Sequence, residues 1–331
     1  MEKNYFKTQL LFAFLGASLL ITSCKKEGCT NPEATNYEAS AKKDDGSCIL
    51  PIKEEPNTPP SKVVFDDAPE NQETEVNFPL TISWLAANDS DGDIITYDVF
   101  LGTDENNPDL VSENQSGLSF QTVELELGTT YFLRVDSKAG THTTSGETRT
   151  FTTTKFGSYT DSRDSQIYGT VKIGDQIWMT SNLVYISSGS YSYDNTASND
   201  VNYGRLYEWA AVSNAIPSGW HLPTDGEWKI LETQLGMPVG HLNINAYGTS
   251  RGTDQGTQLK QGGSSGLNFP LAGFRSGGTY SALNNRTYLW VNTDAGGGNI
   301  FRRRLVIADP SCYRFTNPAG DFAISVRLVK D

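Results

Sequence analysis

The stretch SGWHLPTDGEW, residues 218–228, places His221, Asp225 and Glu227 close together, a density of titratable groups that general acid–base chemistry would use. The same residues carry a second meaning. Thr224 and Glu227 stand at the Thr-x-x-Glu spacing of a capping box, where side chain and backbone at a helix start satisfy each other, and Pro223 lies just ahead. Trp228, Leu231 and Leu235 then follow at i, i+3 and i+7, Gly236 can take the left-handed conformation that ends a helix, and Pro238 blocks extension. Asp225, in the first turn, complements the helix dipole. That leaves His221, flanked by Trp220 and Leu222, and the expectation is a packed, hydrogen-bonded histidine. His142 and His241 lie in unrelated contexts, so no metal-ligating histidine cluster is legible.

Other candidates are weaker. Asp89, Asp91 and Asp93 alternate in NDSDGDIITYD, and carboxylates so spaced can converge on one Ca²⁺ as in the opening of an EF-hand loop. The closing bidentate Glu is missing, because Phe100 stands there; a tight acidic turn between strands is the competing reading. GGSSG, residues 262–266, fits G-x-S-x-G, but it lies in a Gly/Ser loop with no indicated Asp or His partner. Cys312 has no evident partner and is expected to be buried. With no nucleophile beside a base, the chain is expected to be non-catalytic. A ligand site is expected instead on Tyr280, Asn284, Asn285, Arg286, Tyr288, Trp290 and Asn292, where flat rings and amide donors suit sugars or polypeptides. Tyr288 and Trp290 read equally well as core residues of a strand. Arg302, Arg303 and Arg304 could grip a carboxylate-bearing ligand, against the alternative of a solvated strand face.

These residues sit in a chain of 331 that carries 39 acids against 26 bases, a net charge of −13, which argues against nucleic acid or anionic lipid as the main partner. Few charges and many glycines and aromatics suit a β-rich exported fold. Residues 1–23 have basic, apolar and small-residue regions in the order of a secretory signal, and the apolar run is too short to span a membrane. Its ending, LITSC, resembles a bacterial lipoprotein signal. That resemblance implies a lipid on Cys24 as the membrane anchor and, with Lys25 following, the outer membrane, with exposure at the cell surface expected. Cys29 and Cys48 bracket a short polar stretch with no core of its own, which a disulfide would order in an oxidising compartment; residues 24–48 resemble a small module found just after the anchor of bacterial surface proteins. Residues 49–61 hold four prolines and read as a semi-rigid spacer.

Beyond the spacer, Phe78, Leu80, Ile82 and Trp84 alternate, as do Ile95, Tyr97, Val99 and Leu101, and Tyr131, Leu133 and Val135, the pattern of half-buried strands at sandwich spacing. Residues 62–154 resemble a fibronectin type III domain, in which Tyr131 would be the tyrosine corner. From residue 156 the connections lengthen. QIYGTVKIGDQIWM reads as a hairpin turning at Gly174-Asp175, and Tyr203, Leu206, Tyr207, Ala210 and Asn214 fall at helical spacing.

GSYTDSRDSQIYGTVKIGDQIWMTSNL, YGRLYEWAA, PSGWHLPTDGEWKILETQLG, FPLAGFRSGG and ISVRLVKD, in that order, resemble the Fibrobacter succinogenes major paralogous domain over residues 156–331. GWHLPTDGEW is also similar to the formylglycine-generating-enzyme relatives, which implies a C-type-lectin-like fold. The fold class expected is mainly β: a sandwich followed by an α+β, lectin-like domain. Family members often have Cys where this chain has Ile216 and Leu328, which implies that those two are core neighbours. The enzymes use active-site cysteines, and Cys312 alone does not supply that pattern. The layout implies an anchored stalk presenting its last domain to a polysaccharide or a surface protein, with a structural envelope role as the alternative.

Overall fold

The structure, a computed structural model, describes residues 25–52, 56–245 and 251–331. Residues 1–23, the expected signal segment, and Cys24, the expected lipidation site, lie outside the described residues. The chain divides into a unit up to Asn57 and a second from Thr58 to Asp331. In the first, Cys29 and Cys48 form a disulfide. Buried apolar surface there is scarce, so polar contacts share the work: the Asn36 side chain bonds both Ser47 O and Ile49 N, and Lys43 pairs with Glu27. Asp44 and Asp45 accept from the backbone N–H of Gly46 and Ser47, closing the local turns.

Alternation builds the next layer. Strands β1 (Val64–Asp67), β2 (Glu73–Val76), β3 (Thr81–Leu85), β4 (Ile95–Gly102), β5 (Leu110–Gln115), β6 (Ser119–Gln121), β7 (Thr130–Ala139), β8 (His142–Thr144) and β9 (Arg149–Thr153) form two sheets. One has the order β1-β3-β6; the other runs β2-β9-β7-β4-β5, with β8 on β7. Ile82 and Trp84 from the first sheet meet Val99, Leu133, Val135 and Phe151 from the second in one core. Each such aliphatic side chain contributes about 1.5–3 kcal/mol by leaving water. The sandwich starts earlier than the prolines suggest: Pro60 and Ser61 accept from Thr144 and Ser137, and Thr58 bonds Asp91.

The remainder holds β10 (Phe156–Thr160), β11 (Ile167–Ile173), β12 (Gln176–Met179), β13 (Ser190–Tyr191), α1 (Ser198–Tyr203), β14 (Leu206–Glu208), α2 (Trp209–Ala215), β15 (Trp220–His221), α3 (Asp225–Gln234) and α4 (Gln255–Leu259). Then come β16 (Ala272–Ser276), β17 (Thr279–Leu283), β18 (Arg286–Gly296), β19 (Asn299–Val306), β20 (Tyr313–Pro318), β21 (Phe322–Ser325) and β22 (Val329–Lys330). A small sheet, β10-β11-β12-β22-β15, lies beside a larger one ordered β13-β14-β21-β16-β18-β19-β20, with β17 on β16. The chain is mainly β, as composition implied.

The β11–β12 hairpin turns at Gly174-Asp175, Gly174 taking φ +58°. The single helix expected across 203–214 is replaced by strand β14 and helix α2. Gly204, at φ +74°, ends α1, and Leu206 and Tyr207 are then buried as a strand paired with β21, so tertiary pairing overrides the helical spacing. Ile216 packs against the core cluster that holds Leu328.

Helix α3 starts as its sequence dictates. The Thr224 hydroxyl accepts from Glu227 N, and the Glu227 carboxylate accepts from Thr224 N at 2.7 Å. Its inner face carries more than the apolar stripe. Glu232, fully buried, accepts from Arg251 at 2.5 and 2.8 Å and from Arg303 Nε at 2.7 Å. Asp225 accepts from Arg303 at 2.9 Å and from Arg314 at 2.7 and 2.8 Å, and Lys229 Nζ lies 2.8 Å away. Burial alone would raise the Asp225 pKa, but the Arg314 bonds and the neighbouring cations outweigh it and hold the carboxyl far below its usual range. Removing one partner of a buried ion pair costs about 3–5 kcal/mol. Glu232→Ala, which leaves Arg251 buried with no carboxylate and Arg303 with Asp225 alone, is therefore expected to lower the unfolding free energy by about that amount, read as a fall in urea midpoint; a loss below about 1 kcal/mol would show that the cluster does not hold the helix in place.

Candidate ligand-binding face

The seven residues expected at a ligand site do not stay together. Tyr288 and Trp290 belong to the core, with Trp290 fully buried, and they are withdrawn as ligand contacts. Trp290 Nε1 donates to Tyr207 O at 2.7 Å, its ring lies 5.2 Å from Trp209, and the Arg302 guanidinium covers it at 4.5 Å. Asn292 is exposed, and its N–H donates to Pro223 O ahead of α3; it lies six residues along β18 from Arg286, roughly 20 Å at strand rise. Asn285 accepts from Arg286 Nε at 3.1 Å, at the start of β18.

The arginine triplet is also corrected. Arg302, Arg303 and Arg304 are 2%, 0% and 7% exposed, so they form neither a solvated face nor a grip on a ligand. Alternation on β19 sends Arg303 to the carboxylates of α3, and Arg302 and Arg304 to the rings of Trp290 and Tyr313.

Tyr280 and Asn284 join a set of residues that the sequence reading did not bring together. The Arg275 guanidinium lies 3.9 Å over the Tyr191 ring and 6.0 Å from that of Tyr280. Glu208 fixes one edge of the set: it accepts from the Tyr191 hydroxyl at 2.6 Å and lies 3.8 Å from Arg275 Nη1. That hydrogen bond, with some burial, raises the Tyr191 pKa. At the other edge, the Tyr280 hydroxyl donates to Asn195 Oδ1 at 2.8 Å, and the Tyr203 hydroxyl to Asn284 Oδ1 at 2.9 Å. Tyr191, Tyr203, Tyr280 and Arg275 are half-buried, and Asn195 and Asn284 exposed.

Backbone conformation marks the same place. Asp194, Asn195, Ala282 and Asn284 all have φ between 52° and 66°, a region that Asp and Asn enter at turns and that is costly for Ala282. Gly273, at φ +67°, lets the β16–β17 hairpin approach Tyr193, because a Cβ there would meet Ser281 O at 2.4 Å and the Tyr193 ring at 2.8 Å. The only forewarning in the sequence was the density of tyrosines and asparagines in three separate segments.

Other candidate chemistry dissolves into structure. Asp89 Oδ1 accepts from the N–H groups of Asp91 and Asp93, each at 3.1 Å, while Asp91 Oδ2 accepts from Thr58 N and Oγ1, each at 2.6 Å. The trio therefore closes a turn and ties down the incoming chain, and among the described residues no group of three His, Cys, Asp or Glu side chains is placed to hold a metal ion. Cys312 is buried, and that burial, with the charge of Glu232 beside it, pushes its thiol up to about 12. A thiol so shifted is protonated and a poor nucleophile. Ser265 donates to Gln258 O at 2.7 Å and has no basic partner among the described residues. The face of rings, amides and one guanidinium is the candidate site.

Residues 171–330 match the model of a family described as the Fibrobacter succinogenes major domain. Over those residues the chain is similar to that domain. No curated protein and no solved structure matches the chain. Every residue of the tyrosine face falls inside the matched range, so the face lies in the region similar to that domain and outside the sandwich. GWHLPTDGEW also lies within it, and His221 there is clamped between two carboxylates, Nε2 at 2.7 Å from Glu227 and Nδ1 at 2.6 Å from Asp331.

Burial alone would lower the His221 pKa, but the hydrogen bonds and charges of Asp331 and Glu227 outweigh it and raise the value. A raised folded pKa contributes stability in full below the ordinary value of about 6.5, and loses it as pH climbs through the folded value. His221→Gln is accordingly expected to lower the urea midpoint more at pH 6 than at pH 9. Equal losses at both pH values would assign the clamp to neutral hydrogen bonding. Trp290→Ala, by contrast, is expected to cost about 3–5 kcal/mol at either pH, measured by the same unfolding transition.

Proposed function

We propose that the chain is a lipid-anchored, non-catalytic binding protein of the bacterial outer membrane, presenting its major domain to a polysaccharide or a protein ligand at the cell surface. In this reading Cys24 carries the lipid, residues 58–154 form a fibronectin type III sandwich that acts as a spacer, and the major domain has a C-type-lectin-like fold. The sandwich assignment is supported by its strand order, and by the Tyr131 hydroxyl, which accepts from Glu126 N at 3.1 Å as a tyrosine corner would. The buried, protonated Cys312 favours binding over chemistry.

The observation that carries the proposal is the Tyr191–Arg275–Tyr280 arrangement. Half-exposed rings cover the apolar faces of a ligand, while guanidinium and amide groups bond its hydroxyl, carbonyl or carboxylate oxygens. Glu208 and Asn195 hold these groups in place beforehand, which reduces the entropy lost on binding.

The test uses the full chain purified in detergent, applied to immobilised cell-surface polysaccharides and to envelope-protein extracts, with Tyr280→Ala and Arg275→Gln beside the parent. Each substitution is expected to reduce retention by about tenfold, corresponding to about 1.4 kcal/mol, with little change in Tm. Retention unchanged by both would remove this face as the site; parent retention on protein alone would make the partner a polypeptide.

A further inference from the structure

Two clefts of about 330 and 730 Å³ meet beside Tyr203, sharing Asn202, Tyr203 and Gln261 in their walls. Each is within the range of ligand sites, roughly 300–1,000 Å³. Their chemistry differs from that of the Arg275 face. The smaller is lined by the carboxamides of Gln166, Asn202, Gln261 and Asn268 and the hydroxyls of Thr180 and Ser181.

The charged groups at the walls are already engaged within the protein, Asp200 through Oδ2 alone, its buried Oδ1 having no hydrogen-bond partner among the described residues. Asp200 accepts from Arg205 at 2.6 Å and from Ser192 at 2.9 Å. Lys260 Nζ donates to the carbonyls of Val306, Ile307 and Asp309 at 2.9–3.0 Å, and the Asp309 carboxylate accepts from Tyr313 and Ser311. Its open groups are thus neutral. The side chains of Ser181, Asn202 and Gln261 make no hydrogen bond to the described residues, whereas Asn268 is held by Gly262 and Gly266.

The floor is fixed. Asn182 donates to Tyr203 O at 2.9 Å and accepts from the buried Arg327 at 2.9 and 3.1 Å. Arg327 in turn donates to Met179 O and Leu267 O and lies 4.0 Å over the Phe269 ring. Gly204 permits this close approach, because a Cβ there would lie 2.4 Å from that of Asn182.

We infer that this groove is a binding site for an uncharged glycan chain, with hexose units lying along the Tyr203 ring and their hydroxyls bonded by Asn202, Gln261 and Ser181. The chemistry decides the class. Carboxamides both donate and accept, as does a sugar hydroxyl. A uronate or phosphate would instead lose its water without gaining a free cation, at a desolvation penalty that neutral hydroxyls avoid. The inference does not rest on the Arg275 face, which meets the groove at Tyr203 and Asn284 but is tested by different variants.

The experiment titrates neutral hexasaccharides of glucose, mannose and galactose, and a hexagalacturonate, into the full chain in detergent, using calorimetry. The parent is compared with an Asn202→Ala, Gln261→Ala double variant and with Arg275→Gln. Because neither side chain of the double variant bonds the protein, its Tm should match the parent's. The expected result is binding of at least one neutral hexasaccharide, weakened by about tenfold or more in the double variant, since two bonded side chains are lost, and retained in Arg275→Gln. Absence of binding by all three neutral probes, preference for the galacturonate, or an affinity unmoved in the double variant would each overturn the proposal. Loss of neutral-glycan binding in Arg275→Gln alone would move the sugar to the tyrosine face and overturn it as well.

Discussion

The C-terminal region is organised around a requirement that two buried carboxylates of one helix be met by arginines from elsewhere. Asp225 and Glu232 lie on the inner side of α3 and draw in Arg251, Arg303 on β19 and Arg314 on β20. An ion brought into an apolar interior loses several kcal/mol of hydration, and this is offset only when geometry is good and the remaining donors find acceptors. Arg251 meets that condition with the carbonyls of His241, Leu242 and Cys312 in addition to Glu232. Unlike apolar packing, such a cluster tolerates little displacement. It therefore specifies how the helix sits against β19 and β20, where the surrounding Trp178, Trp228 and Phe269 only require that it be near.

From that frame the support passes outward. β19 pairs with β18, which carries Trp290 in one core and Leu289 and Val291 in the other. β16 pairs with β18 and β21 and projects the β17 hairpin that carries Tyr280. The arginines flanking Arg303 cover aromatic rings, so a strand with three consecutive cations is kept dry on both sides by different means: ion pairs on one, ring stacking and backbone carbonyls on the other.

Local signals were the legible ones. Alternating apolar residues located the central sandwich strands, Thr224 and Glu227 marked the start of α3, and two cysteines in an export context gave the disulfide. Each needs only neighbours in sequence. What escaped depends on partners far along the chain. Arg303 reads as a surface cation until Glu232 is known to be 71 residues away and 2.7 Å distant. One sign was available: Glu232 lies four residues after Trp228 and seven after Asp225, inside the stripe that should face the core. Leu206 and Tyr207 read as helix because pairing with β21 is invisible locally. The expected ligand residues dispersed for the same reason, since eight residues of strand cannot keep Asn284 and Asn292 at one site.

The tyrosine face is assembled at some cost, and this bears on its interpretation. Asp194, Asn195 and Asn284 take positive φ as Asp and Asn do at turns, while Ala282, at about 1–3 kcal/mol, persists only where the surroundings over-determine it. Here the surroundings do so through specific bonds, Tyr280 to Asn195 and Tyr203 to Asn284, made by the side chains of two of those same residues. A surface that served only to cover the sheet would gain nothing from this, because ordinary turns satisfy its backbone equally well. A recognition surface does gain, since rings and amides already held in place lose less freedom when a ligand arrives. Tyr203 extends the argument to the neighbouring groove: its hydroxyl is held from the Asn284 side and its carbonyl from the Asn182 side, so one residue is fixed at the junction of both surfaces.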